Sequence, residues 1–228
     1  MPRLRVCIDP GHGGSSDPGA IGKTGVQEKV VNLAIALRVA AILRPVVDVV
    51  MTRETDVDVS LQDRAAVEAD AFASIHCNAA DNPDANGTET LYYPGSIMGR
   101  RLADRIQAHV VQELGTVDRG VKERPDLAVL RLSNCPAALV EIAFVSNVKE
   151  EAMLEDPAIH ARAAQAIAEG IAEGMGFRLP AVWDPVKEIE KLKQDGLTNS
   201  SHEPKDVVNW GELATVLNRM RRGCKCLR

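Results

Sequence analysis

Residues 4–38 read LRVCIDPGHGGSSDPGAIGKTGVQEKVVNLAIALR. The apolar run LRVCID predicts a strand, the Gly-, Ser-, Asp- and Pro-rich stretch after it a loop, and the residues from Glu28 a helix that stops at Pro45. That helix is apolar on nearly every face, as one buried against a sheet would be. A strand feeding a glycine-rich loop and then a helix opens a βαβ unit, and so predicts an α/β fold.

Working outward, three more stretches carry the same signal. VVDVVMT (46–52), AFASIH (71–76) and AALVEIAFV (137–145) are almost continuously apolar, as strands of a parallel sheet covered on both faces are. GTETLYYP (87–94) predicts an outer strand. Ser60 caps a helix carrying Arg64, and Ser96 caps one with Met98, Leu102, Ile106 and Val110 in register, stopping near Gly115. Asp156 and Pro157 open a helix that runs to about Met175. The expected architecture is a single, mostly parallel twisted sheet flanked by helices over residues 1–178. A linker at 179–185, within GFRLPAVW, leads to a small all-α module at 186–228, whose last helix starts at a capping box of Asn209 and Glu212.

Composition excludes several classes of function. With 228 residues, 45% of them hydrophobic, the chain can bury one good core. No apolar run approaches the roughly 20 residues of a membrane span. A formal net charge of -5 and 3% aromatic content argue against a nucleic-acid phosphate backbone or stacked bases as partner.

Four residues stand where such a fold presents chemistry. His12 follows the first strand, Glu28 opens the first helix, His76 closes the strand AFASIH, and Glu141 is a lone carboxylate inside an apolar strand. Ligands of open α/β sheets collect beyond the carboxyl ends of the strands, which is where His12 and His76 fall. Alternation puts Phe72, Ser74, His76 and Asn78 on one side of their strand and turns Cys77 to the other. Two imidazoles and a carboxylate leave a fourth position open on zinc, the pattern of catalytic rather than structural sites. Read singly, each residue has a plainer role: Glu28 complements a helix dipole, and Glu141 pairs with a basic partner such as Arg64. His109 and His160 fall within helices and read as packing residues, while Asp17, Asn78 and Arg64 stand close enough to shape the site.

The motifs IDPGHGG with GVQEK downstream, SIHCNA, and LVEIAFVSN, in that order, resemble those of the zinc-dependent N-acetylmuramoyl-L-alanine amidases. The resemblance spans roughly residues 3 to 177. It implies one zinc ion per chain held by His12, Glu28 and His76. Glu141 would be the catalytic acid/base that helps water cleave the amide between the lactyl group of muramic acid and L-alanine in peptidoglycan. The alternatives are another zinc hydrolase of the wall, a peptidase or deacetylase, or a non-catalytic wall-binding protein.

The amino terminus runs directly into the first core strand with no signal-peptide pattern. A wall-degrading enzyme made in the cytoplasm and released at host lysis, a phage or prophage endolysin, fits that start. Residues 186–228 hold nine Lys and Arg against six Asp and Glu, whereas the rest of the chain is acidic. A basic module suits anionic wall polymers, and a solvated face is the plain alternative. Cys7, Cys77 and Cys135 read as small apolar residues, and Cys224 and Cys226 as a C-x-C pair in the tail.

Overall fold

The computed structural model describes residues 3–180, 185–197 and 213–218. The contacts divide into two units, Met1–Leu179 and Pro180–Arg228. In the first, β1 (Arg5–Pro10), β2 (Asp48–Met51), β3 (Ala71–Asn78), β4 (Thr88–Tyr92), β5 (Asp118–Glu123) and β6 (Ala137–Phe144) form one sheet in the order β2-β1-β3-β6-β4-β5. Neighbours are parallel except β4 and β6, which run antiparallel. The carboxyl ends of β1, β3 and β6 therefore share an edge with the amino ends of β4 and β5.

Alternation along the strands sorts side chains between two unequal layers. On one face Val6, Ile8, Ala73, Ile75, Ala138, Val140 and Ile142 join the main core. Three long helices supply the rest of it: α1 (Glu28–Leu43), α3 (Ile97–Leu114) and α6 (Pro157–Met175). α1 buries Val31, Ile35, Val39 and Leu43 at four-residue spacing. On the opposite face Cys7, Phe72, Leu91 and Leu139 cluster with Val129 and Leu130 of α4 (Ala128–Leu132), which packs against α2 (Leu61–Ala65), each helix five residues long. The polar side chains of that face, Asp9, Ser74, His76, Glu141 and Glu89, lie level with the carboxyl-terminal parts of β1, β3 and β6.

Local chemistry sets the helix ends. Ser60, Ser96 and Asp156 accept from backbone N–H groups in the first turns of α2, α3 and α6, and Gly115 and Gly176 close α3 and α6 in the left-handed conformation. α5 (Val148–Leu154) is capped by Asn147, which accepts from Lys149 and Glu150. Two elements correct the expected arrangement. The outermost strand on this side is β5, not 87–94, which becomes β4 between β6 and β5. β5 reads DRGVKE, with no apolar alternation to announce a strand.

Cys7 and Cys77 are buried among apolar side chains, with desolvation pushing both thiols up in pKa. His160 bonds the Leu154 carbonyl at 2.6 Å, and His109 sits between Glu169 and Glu173 on α6, so both serve helix packing. In the second unit α7 (Pro185–Gln194) is helical, as are residues 213–218. Most of the expected linker, the capping box at Asn209, and Cys224 and Cys226 lie outside the described residues. Among the described residues no helix is long and apolar enough to cross a membrane.

α6 approaches α3 through a glycine. A Cβ at Gly170 would stand 2.6 Å from the Ile106 Cα and 2.8 Å from its nitrogen, both backbone atoms that cannot step aside. Gly170→Val should force the helices apart and destabilise the fold by about 2 kcal/mol or more. A urea unfolding midpoint equal to that of the unaltered chain would show that this contact has slack.

Candidate functional site

The site begins with a buried ion pair beneath the first loop. Asp9, the last side chain but one of β1, is fully buried, and its carboxylate accepts from Arg64 Nη1 at 2.7 Å, Thr52 Oγ1 at 2.6 Å and Ser74 Oγ at 2.6 Å. Arg64 then donates to the carbonyls of Pro10 and His12, each at 2.7 Å. Arg53, also buried, donates to the carbonyls of Pro10, Gly11 and Lys29 at 2.9–3.0 Å. Two guanidinium groups thus hold the carbonyls that turn outward as the chain leaves β1. Among the described residues His12 is the one non-glycine with positive φ, at 60°. Such a conformation costs about 1 kcal/mol or more and persists where its surroundings fix it. The Arg64 bond to the His12 carbonyl is one such fixture.

Three side chains from three elements converge above this base. Glu28, in the first turn of α1, is 4% exposed. Its Oε1 accepts from His76 Nδ1 at 2.9 Å and from the Cys77 N–H at 3.1 Å. Its Oε2 accepts from the Ala20 N–H at 2.9 Å and lies 3.3 Å from His12 Nε2. The two imidazoles meet edge to face, their centroids 4.9 Å apart. Gly11 makes room for them, since a Cβ there would fall 2.1 Å from His76 Cε1.

The electrostatics of the cluster favour positive charge. Burial opposes protonation of His12, yet bonds to Glu28 and Asp17 raise its pKa to about 9. His76 is raised as well: desolvation works against it, and the Glu28 bond and the charges of Glu141 and Glu28 outweigh that. Glu28 is pulled well below the usual carboxylate range, because its bonds to both histidines overcome its own desolvation. Donor atoms of His12, Glu28 and His76 all lie within 4.8 Å of one another, a spacing that lets one cation reach all three. Asp17 Oδ1 accepts from His12 Nδ1 at 2.7 Å, which leaves Nε2 facing Glu28. Metal-binding histidines are commonly oriented in this way, by a carboxylate on the second ring nitrogen. The donor set, its second-nitrogen partner and the local field all suit a divalent metal such as zinc.

Glu141 lies directly across the β3–β6 ladder from His76. Its Oε2 is buried and has no hydrogen-bond partner, an expensive condition for a charged group. Desolvation, with repulsion from Glu28 and Glu89, pushes its pKa up to about 7 against the pull of the two histidines. Arg64, its partner in the plainer reading of this carboxylate, is committed to Asp9 instead. β1 carries Asp9 toward α2, whereas Glu141 is two strands away on β6. Asn78 donates to Glu89 Oε1 at 3.0 Å.

Several residues of this edge went unread in the sequence. Asp9 and Glu89 gave the same sign as Glu141, a charge inside a buried strand. Arg53 gave none, because a loop arginine is ordinary until its carbonyl partners are known. Glu151 of α5 accepts from Thr24 N, Thr24 Oγ1 and Val26 N at 2.8, 2.7 and 3.4 Å, tying down the loop that delivers Glu28.

A family model described as N-acetylmuramoyl-L-alanine amidase matches residues 6–173. The chain is similar to the N-acetylmuramoyl-L-alanine amidase LytC of Bacillus subtilis, at 43% identity over 173 residues, 72% of this chain and 34% of that protein. It is 40% identical over 199 residues to the endolysin of Bacillus phage SPP1, covering 82% of this chain and 71% of that one. It thus spans about a third of the length of LytC. Among solved structures, an N-acetylmuramoyl-L-alanine amidase from Clostridium difficile 630 superposes with a TM-score of 0.74 at 36% identity, over 77% of this chain and 98% of that one. The catalytic domain of CwlV from Bacillus (Paenibacillus) polymyxa var. colistinus gives 0.73 at 37%, over 77% and 99%.

The raised pKa of Glu141 has a measurable consequence in chelator-treated protein. The folded chain keeps this proton up to about pH 7, while the unfolded chain releases it near 4.5. The folded state binds more protons through that window, so the Glu141 contribution to stability is lost as pH rises across it. Glu141→Gln cannot ionise and should gain on the unaltered chain by roughly 3 kcal/mol between those limits. Parallel stability curves for the two proteins across this pH range would mean that Glu141 is solvated.

Proposed function

The chain belongs to the N-acetylmuramoyl-L-alanine amidase family, and on that premise we propose that it hydrolyses the amide joining the muramic acid lactyl group to L-alanine in peptidoglycan. One observation carries the mechanism: a buried carboxylate without a partner, Glu141, lies in ladder register with one histidine of a three-donor cluster. In this reading His12, Glu28 and His76 hold one zinc ion. When bound, zinc supplies Lewis acidity, polarising the scissile carbonyl and acidifying water.

The chain's own residues do the rest. Asp17 fixes the His12 tautomer through Nδ1. Glu28 is held by backbone N–H groups of Ala20 and Cys77, so its carboxylate stays ionised and oriented. Glu141 takes a proton from water as the oxygen bonds to the amide carbon. As the C–N bond breaks it returns that proton to the departing alanine nitrogen, so an amine leaves and not an amide anion. A buried carboxyl group with no hydrogen-bond donor on Oε2 is free to take up and give back a proton.

Similarity to a phage endolysin supports reading the chain as a lysin that acts on the wall. The basic segment 186–228 is assigned to holding it there through anionic wall polymers. Retention on purified walls should then fall steeply as salt is raised. Retention that is indifferent to salt would remove this role.

His12→Ala and His76→Ala should each lose bound zinc, and Glu141→Gln should keep zinc while turnover falls by at least about a hundredfold. Metal analysis of the purified variants and end-group analysis of digested peptidoglycan check this together. Chelator-sensitive release of N-terminal L-alanine without new reducing sugar ends is the expected product. A different new amine would instead make the protein a wall peptidase or deacetylase.

A further inference from the structure

One charged row crosses the sheet beside the site, and the reaction described above uses only half of it. His76 pairs in register with Glu141, and Glu141 with Glu89 on β4. Beyond Glu89 the β4–β5 ladder shifts register between Thr88 and Thr90, and Gly120 has φ 79°. A bulge of this kind re-aims a side chain. Here it accompanies Arg119, whose Nε reaches Glu89 Oε2 at 2.7 Å. Lys122 reaches the same oxygen from the row below at 2.6 Å.

The stoichiometry is unequal. Two cations share one oxygen of one carboxylate, and the other oxygen is taken by Asn78. The trio therefore keeps a net positive charge. Arg119 is further fixed by the Asn86 carbonyl and by the Phe144 ring, 4.7 Å below its guanidinium carbon. The Lys122 side chain is 44% exposed, and among the described residues Glu89 is its hydrogen-bonding partner. An ammonium group has three protons to give. The Arg119 and Lys122 side chains are 33% and 44% exposed, so the surplus charge reaches solvent.

We propose that Arg119 and Lys122, set by Glu89, form a subsite for a carboxylate on the peptide side of the cleaved amide. The proposal rests on the amidase reading and extends it to substrate selection. Both cationic heads meet at Glu89 Oε2, and Glu89 stands one strand spacing, roughly 5 Å, from Glu141. A carboxylate within hydrogen-bond reach of the cations then lies about 6 to 7 Å from the reacting nitrogen, which is about two residues of extended chain. The ligand is thus an acidic peptide whose second residue carries a free carboxylate.

The test uses zinc-loaded protein and two short muropeptide amides that differ only in whether the second residue bears a carboxylate or its carboxamide. The unaltered chain should show a KM about tenfold lower for the carboxylate. Lys122→Gln should abolish that preference with kcat within about twofold, and Lys122→Arg should restore it. Equal KM values for the two substrates in the unaltered chain, or a Lys122→Gln variant that loses kcat on both alike, would overturn the subsite. Cleavage of neither substrate would count against the amidase reading alone. Calorimetry with the two free peptides then decides the subsite: tighter binding of the carboxylate that Lys122→Gln removes supports it, and equal binding overturns it.

Discussion

The buried pair of Asp9 and Arg64 is the constraint on which the rest of the site depends. Two opposite charges inside a sheet edge gain little net stability, because their desolvation offsets most of their attraction. Removing one partner, however, strands the other at a cost of about 3 to 5 kcal/mol. The pair therefore fixes geometry more than it adds stability. Arg64 extends from it to the Pro10 and His12 carbonyls, and Asp9 extends to Thr52 and Ser74. The first loop leaves β1 from a frame that cannot easily shift, with one imidazole already turned into the cluster.

From that frame the site is assembled by complementary charge. Glu28 stands between two histidines and collects backbone donors on both oxygens. The second loop anchor comes from far along the chain, where Glu151 reaches back to Thr24 and Val26. Glu141 is the exception, a carboxylate given no donor for Oε2, and its affinity for a proton rises accordingly. Glu28 of α1 is pulled far down and Glu141 of β6 is pushed up, a contrast that in the proposed reading suits the one to holding a cation and the other to moving a proton.

The two faces of the sheet are covered unequally, and the cations at the end of the charged row remain part-exposed. Three long helices pack on one face, while the helices on the other are only five residues each. The reversed direction of β4 also matters, since it brings Glu89 level with Glu141 and lets β5 add its cations from the far side.

The sequence by itself determined the parts whose signal is local. β1, β3 and β6 are legible as apolar runs, α3 and α6 from their caps and glycine stops, and His12, Glu28 and His76, which the fold brings together, from motifs at strand and helix ends. Each rests on neighbouring residues, where periodicity and capping act. What the tertiary structure alone decided is who meets whom. Arg64 was available to either Asp9 or Glu141, and the strand order gave it to Asp9. β5 is a strand because β4 offers it an edge, not because DRGVKE favours one. Arg53, Glu89, Arg119 and Lys122 acquire meaning only across ladders and loops that close over long separations. Hydrogen bonds and ion pairs depend on distance in space, and a sequence records only distance along the chain.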